Sequence, residues 1–342
     1  MLEFSGPINF LGPSPKAVEA VRQYAKLIKF YPDPNPVEFK EEVADYVGHD
    51  VRKENIILGN GSIELIYAIT EILARGFKAV IPIPSFSEYE KAAIRVGGKA
   101  VFVQLPQNFA LETEKIKQAI TPETKILFIC NPHSPSGTLY GKEEILELVD
   151  FCHKKDVVFS IDENYIEFAE KGQKTTLAGN VKEYENLFVI RSVTKFYGMA
   201  GIRLGYGIAA PNMVEKLENV KVPWSINSLA SCATLAAFSD ADFIEDTKRT
   251  IAREREQLAK SLNEIEGLHV YPSVTNFVLV KILNHKITST KLKDLLAEKR
   301  MLIRDCCTFM GLDDSYFRIT VRSAKDNLKL VAAIEQLFDK NS

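Results

Sequence analysis

Cysteine is scarce and scattered: Cys130, Cys152, Cys232, Cys306 and Cys307, with no C-x-x-C spacing. An odd set without paired spacing argues against a disulfide framework and a zinc site, and fits a reducing, cytoplasmic compartment. Neither sign of charge dominates, since 43 Lys and Arg against 45 Asp and Glu leave a formal net charge of −2. The chain therefore lacks the electrostatic footprint of a nucleic-acid partner. No apolar run approaches the length needed to cross a bilayer, and the opening MLEFSGPINFLGPSP has no basic n-region, so the reading is a soluble, unexported chain without a membrane partner. The spacings G-x-G-x-x-G and G-x-x-x-x-G-K-[ST] are absent, which gives no indication of nucleotide binding. No metal-ligand pattern, internal repeat or low-complexity tract is found.

What is present is 46% apolar and 26% charged residues, the composition of a folded chain rather than a disordered one. At 342 residues the chain exceeds one small core and fits two unequal domains. Between about residues 55 and 211, short runs (NIILG, KAVIPIPS, AVFVQL, KILFICNP, VVFSIDEN, LFVIRSV, GYGIAAP) alternate with amphipathic stretches at 62–75 and 142–155. This rhythm predicts a mainly parallel sheet covered by helices on both faces, an α/β layer domain. From about residue 243 a long charged helix leads into strands and helices that predict a second, α+β domain. The expected division is 1–30 as an N-terminal segment packed on the small domain or a partner subunit, 31–242 as a large domain, and 243–342 as a small C-terminal one. Ligands of open α/β sheets collect outside the carboxyl ends of the strands, where four motifs sit.

In R-S-V-T-K-F-Y-G-M-A-G-I-R-L-G-Y, a strand end runs into Lys195, held in a hydroxyl-rich turn, with Arg203 eight positions on. A covalent lysine needs its amine beside an electron-withdrawing group, and Ser192, Thr194 and Arg203 offer donors and charge to a phosphate. Alone, such a lysine reads as a solvated loop residue. In V-V-F-S-I-D-E-N-Y, Asp162 ends a buried strand and Tyr165 follows; an anion there can keep a ring nitrogen protonated, though alone a cap of the next helix is the plainer reading. In I-I-L-G-N-G-S-I-E-L, a glycine turn places Gly61, Ser62 and Ile63 at a helix N-terminus suited to an anion, which ordinary serine N-capping explains equally well. The fourth, F-I-C-N-P-H-S-P-S-G, is a proline-braced turn carrying Ser134; alone it is a rigid connection.

Each motif has an ordinary explanation, but their order along the chain is hard to obtain by accident: anion turn, Phe86 in PSF, braced turn, Asp162-x-x-Tyr165, Lys195, Arg203. In that order the sequence resembles the class I and II aminotransferases of fold type I, which use pyridoxal 5′-phosphate (PLP), and the resemblance covers almost the whole chain. It implies a seven-stranded, mainly parallel sheet sandwiched by helices, plus a smaller α+β domain. It also implies Lys195 as the Schiff-base lysine, Asp162 as partner of the pyridine nitrogen, Tyr165 as donor to the phenolic oxygen and Phe86 as the ring-stacking residue. Gly61, Ser62, Ile63, Ser192, Thr194 and Arg203 would surround the phosphate. Tyr31, in F-Y-P-D-P, resembles a tyrosine that reaches the cofactor of the neighbouring subunit, which implies a homodimer with shared active sites. One departure stands out. The family's N-P-N-N-P-T-G reads N-P-H-S-P-S-G here, so the shorter Ser134 replaces an asparagine that bonds the phenolic oxygen.

Two branches of the family share these motifs, histidinol-phosphate aminotransferases and L-threonine-O-3-phosphate decarboxylases, and both act on amino compounds that carry a phosphate ester. The less generic stretches resemble the decarboxylases: Asn9 in I-N-F-L-G-P, V-P-W-S-I-N-S-L-A, Arg304 in I-R-D-C-C, and Arg318 and Arg322 in F-R-I-T-V-R. Three arginines near one strand supply planar forks for a carboxylate or phosphate. The resemblance thus implies decarboxylation of a small phosphorylated amino acid, first L-threonine O-3-phosphate in cobalamin biosynthesis, with histidinol-phosphate transamination the alternative. Those decarboxylases usually carry a leading His-Gly-Gly arm that this sequence lacks, so L-serine phosphate stays open as a substrate. His49, His133, His153, His269 and His285 are read as structural. A regulator of the same fold would add a DNA-binding domain, for which there is no basic helix-turn-helix.

Overall fold

The computed structural model describes residues 1–283 and 287–339, so His285 lies outside the described residues. Among the described residues thirteen strands form: β1 (Leu2–Glu3), β2 (Ile56–Gly59), β3 (Lys78–Ile83), β4 (Lys99–Gln104), β5 (Thr124–Cys130), β6 (Val158–Asp162), β7 (Leu187–Ser192), β8 (Gly205–Ala209), β9 (Leu268–Val270), β10 (Phe277–Ile282), β11 (Met301–Leu302), β12 (Arg304–Asp305) and β13 (Tyr316–Thr320). Strands β2 to β8 make one sheet in the order β2-β8-β7-β6-β5-β3-β4. Every neighbouring pair is parallel except those of β8, which runs antiparallel to β2 and β7. This is the expected seven-stranded, mainly parallel sheet.

Strands of such a sheet are buried on both faces and read as continuous apolar runs. Here β2, β7 and β8 are buried along their whole length. Because successive side chains point to opposite faces, the strands feed two cores. Ile56, Leu58, Val80, Leu127 and Val189 pack on one side, and Ile57, Ile81, Ile126 and Ile190 on the other. The helix Ser62–Leu73 buries Leu65, Ile66 and Ile69 against the second core. It stops just before Gly76, whose φ of 77° suits a glycine.

The helix Ala241–Asn263 leads to a four-stranded antiparallel sheet in the order β12-β13-β10-β9. The first thirty residues divide their contacts. Strand β1 pairs with β11, and the Thr320 amide donates to the Phe4 carbonyl at 2.8 Å. The helix Pro15–Tyr24, capped by the Ser14 hydroxyl, packs instead on the helix Ser228–Phe238.

At the ends of β6 and β7 a buried ion pair joins Glu163 to Arg191 at 3.0 Å. Glu163 also accepts from the Thr176 hydroxyl at 2.7 Å and the Leu177 amide at 2.9 Å, and Arg191 donates to Thr176 at 2.6 Å. Replacing Arg191 by methionine leaves Glu163 a buried carboxylate without its cation, a change that costs about 3–5 kcal/mol. Chemical denaturation of Arg191→Met followed by far-UV circular dichroism measures it; a loss below about 1 kcal/mol would show the pair to be dispensable.

Candidate active site

Sheet register brings the carboxyl ends of three strands to one edge. Cys130 lies opposite Asp162, Asp162 opposite Ile190, and Ser192 opposite Gly205, which also faces Gly59. The turns that follow open onto two adjoining cavities. The inner one, about 210 Å³, is walled by Ser62, Ile63, Asp162, Ser192, Thr194 and Arg203 among others. The outer one, about 450 Å³, is lined by Arg304 and Arg318. Both share Phe86, Ser134, Tyr165 and Lys195.

One end of the inner cavity is built for an anion. The N-cap of the helix Ser62–Leu73 is Gly61, at φ 77° and with no side-chain cap, so serine N-capping is not what the motif does. Instead the Ser62 hydroxyl accepts from the Asn164 amide at 3.1 Å. A Cβ on Gly61 would lie 2.1 Å from the Arg203 guanidinium, so only glycine admits that arginine to the helix terminus. The free first-turn N–H groups and the guanidinium together make an anion site.

The other end holds Asp162. Its carboxylate accepts from the Tyr89 hydroxyl at 2.9 Å and the Asn164 amide N–H at 2.9 Å. Burial pushes its carboxyl above the ordinary range, against the pull of those donors and of Lys195. A buried carboxylate held by neutral donors suits a protonated ring nitrogen. Tyr89 stacks on Phe128 at 4.8 Å and meets Phe86 edge-on at 5.7 Å, linking the floor of the cavity to its aromatic face.

Lys195 places Nζ 5.9 Å from the Tyr165 ring centre. Burial, then the charge of Arg318, lowers its amine to about 8, with Asp162 opposing. Asn9 shapes the lysine's turn. Its backbone N–H donates to the Lys195 carbonyl at 3.0 Å and its side chain to the Phe196 carbonyl at 2.8 Å and the Thr247 hydroxyl at 3.3 Å. Its Oδ1 accepts from Leu11, so the side chain is committed to the protein and is not on the cavity wall.

Arg304 and Arg318 face each other directly in the β12–β13 register. Like charges in opposed positions destabilise a sheet, so an anion between them would offset their repulsion. Arg318 is buried, donates to the Ser134 hydroxyl at 3.3 Å and lies over the Phe277 ring at 4.8 Å; its Nε has no partner. Arg322 is placed elsewhere. It donates to Asp326 at 3.3 Å and to the Glu3 carbonyl at 3.1 Å, over the Phe4 ring, and lines neither cavity. Tyr31, 86% exposed beside Trp224, is also off the walls of its own chain's cavities. Among the described residues no cluster could hold a metal.

Sequence reading missed Tyr89 and Asn164. The usable signals were the position of Tyr89 three residues after Phe86, and that of Asn164 inside D-E-N-Y.

A family model for class I and II aminotransferases matches residues 4–334. The chain belongs to that family. Among relatives of the aminotransferase-family chain, a Caldanaerobacter subterraneus subsp. tengcongensis protein, named provisionally as a threonine-phosphate decarboxylase, is 38% identical over 97% of this chain and 89% of its own. The histidinol-phosphate aminotransferase of Clostridium acetobutylicum superposes with a TM-score of 0.92 at 32% identity, over 99% of this chain and 100% of its own. The L-threonine-O-3-phosphate decarboxylase of Porphyromonas gingivalis superposes with a TM-score of 0.88 at 27% identity, with the same coverage. The cofactor of this aminotransferase-family chain is PLP, and the residues fit it: an anion site, a buried carboxylate and a lysine all wall the inner cavity.

The electrostatics give a signed test. In the cofactor-free protein Lys195 titrates near pH 8, so pH-dependent acetylation read by mass spectrometry rises through that value. Arg318→Gln removes a like charge and moves the midpoint up; Asp162→Asn removes an opposite charge and moves it down. A midpoint that neither substitution moves would refute this account of the lysine's surroundings.

Proposed function

We propose that this enzyme removes CO2 from a small phosphorylated amino acid, with L-threonine O-3-phosphate the first substrate and aminopropanol phosphate for the cobalamin nucleotide loop the product. The observation that carries the reading is the opposed pair Arg304 and Arg318 on the outer cavity, beside Lys195. Two planar forks suit a substrate with both a carboxylate and a phosphate. The decarboxylase name of the relative that is 38% identical supports the same choice.

PLP, when bound, withdraws electrons from the α-carbon of an amine attached to it. In our reading Lys195 is the covalent anchor. Asp162, fixed by Tyr89 and Asn164, keeps the ring nitrogen charged, while Tyr165 and Ser134 face the phenolic oxygen. Phe86 covers the ring, and Ser62, Ile63, Ser192, Thr194 and Arg203, with the turn at Gly61, hold the phosphate. Arg318 would hold and orient the substrate carboxylate, and Arg304 would take the phosphate ester. The Lys195 amine, with its lowered pKa, returns a proton to the α-carbon.

A second reading, transamination of histidinol phosphate, is favoured by the Clostridium structure. We further propose a homodimer in which Tyr31 reaches the partner's cofactor. The exposed Tyr31 and Trp224, whose ring centres lie 5.8 Å apart, supply apolar surface for it, as do the exposed Ile28, Phe30 and Val222.

With L-threonine O-3-phosphate and no 2-oxo acid, the purified enzyme should release CO2; Arg318→Gln lowers kcat/KM by about 100-fold, in line with losing a charged fork. Lys195→Ala abolishes turnover and the cofactor's visible band. Glutamate-dependent turnover of imidazole-acetol phosphate without CO2 release would install the second reading. Sedimentation velocity at micromolar concentration should give a dimer, and Tyr31→Ala with Trp224→Ala should shift it toward monomer.

A further inference from the structure

Where the family has two asparagines, this chain has His133 and Ser134 in the turn after β5. His133 is 3% exposed, and both ring nitrogens are bonded. Nε2 lies 2.8 Å from the carbonyl oxygen of Pro84, and Nδ1 lies 2.7 Å from the Ser136 hydroxyl. A carbonyl oxygen only accepts, so Nε2 carries the hydrogen and Nδ1 is the bare acceptor of the Ser136 proton. The Ser136 oxygen is within 2.8 Å of the Thr138 hydroxyl and accepts from the Thr138 amide at 3.3 Å, which continues the chain in one direction. The turn closes on itself through His133 N–H to the Thr138 carbonyl at 2.7 Å and Gly137 N–H to the His133 carbonyl at 2.6 Å. The link to Pro84 is the histidine's outward bond, and it crosses from this turn to the loop after β3.

Both tied segments wall the cofactor cavity. Phe86 stands two residues after Pro84, and Ser134 is the residue after His133. We infer that His133 is a positioning residue that fixes the spacing between the Phe86 face and the Ser134 edge of the cofactor cavity, by clamping the loop after β3 to the turn after β5. Its ring sits among Phe109 and Tyr140, at 6.1 and 5.8 Å between centres. Burial lowers the imidazole to about 4, so it stays neutral and keeps one hydrogen-bonding pattern across the working pH range. Removing the ring would leave the buried Pro84 carbonyl without its donor and take one partner from the Ser136 hydroxyl, and the two walls would be free to part.

The inference rests on the cofactor site and not on which substrate the enzyme takes, so it is tested on PLP binding by the full chain. His133→Leu keeps the far-UV spectrum but weakens PLP binding tenfold or more and reduces the visible circular dichroism of the bound cofactor. His133→Gln, whose amide can still donate to the Pro84 carbonyl, restores binding to within about threefold. Ser136→Ala, which leaves Nδ1 without its donor, weakens binding by an intermediate factor and carries the test if His133→Leu does not fold. Wild-type affinity and dichroism in His133→Leu or Ser136→Ala would overturn the inference. So would a Gln variant as impaired as the Leu variant, because the ring would then be filling space only.

Discussion

The buried pair Glu163–Arg191 is the interaction on which the site's geometry hangs. Asp162 ends β6, and Glu163 carries its ladder one residue further by donating its N–H to the Ile190 carbonyl at 2.8 Å. Arg191 and Ser192 are the last two residues of β7, so in both strands successive side chains alternate faces. Anchoring Glu163 and Arg191 beneath the sheet edge therefore commits Asp162 and Ser192 to the cavity above it. Burying two charges is expensive, and the expense is met only in one geometry, with Thr176 and the Leu177 amide completing the carboxylate's partners. A pair that tolerates one arrangement is a poor source of stability and a good source of placement.

The charges on the cavity walls divide in a way that fits the chemistry. Arg203, Arg304, Arg318 and Lys195 converge from three elements, while Asp162 lies at the floor and Glu90 on the outer wall. Arg318 acts twice in this field. It presents a fork to the outer cavity, and its charge adds to burial in lowering the lysine amine to about 8. The buried Arg318 Nε without a partner and the Asn164 Oδ1 in the same state are polar atoms that a bound group could satisfy.

Much of this is legible in the sequence. The parallel strands announce themselves as uninterrupted apolar runs, and the positions of Asp162 and Lys195 at strand ends follow from where those runs stop. What sequence could not convey were contacts between distant segments. The bond from Tyr89 to Asp162 spans 73 positions, and Asn9 reaches Phe196 across 187; no periodicity records either. Asn9, grouped by resemblance with the substrate residues, shapes the lysine turn instead. Arg322 illustrates a different limit. In F-R-I-T-V-R the alternation that presents Arg318 holds only along β13, which ends at Thr320, so Arg322 falls outside the strand and turns to Asp326 and Glu3. A motif letter specified the residue type, but the end of the strand decided its direction.

The opening of the chain has a mechanical meaning. Phe4 is fastened to β13 through the Thr320 amide, and Asn9 is fastened to the Lys195 turn. Residues 5–8 between these two knots include part of the outer cavity's lining, and the Ser5 carbonyl takes a bond from Arg318 itself at 3.4 Å. The segment is thus a short tether under the small sheet. Any shift of that sheet toward or away from the lysine must be accommodated within its slack, so the length of those few residues bounds the stroke available to the arginines.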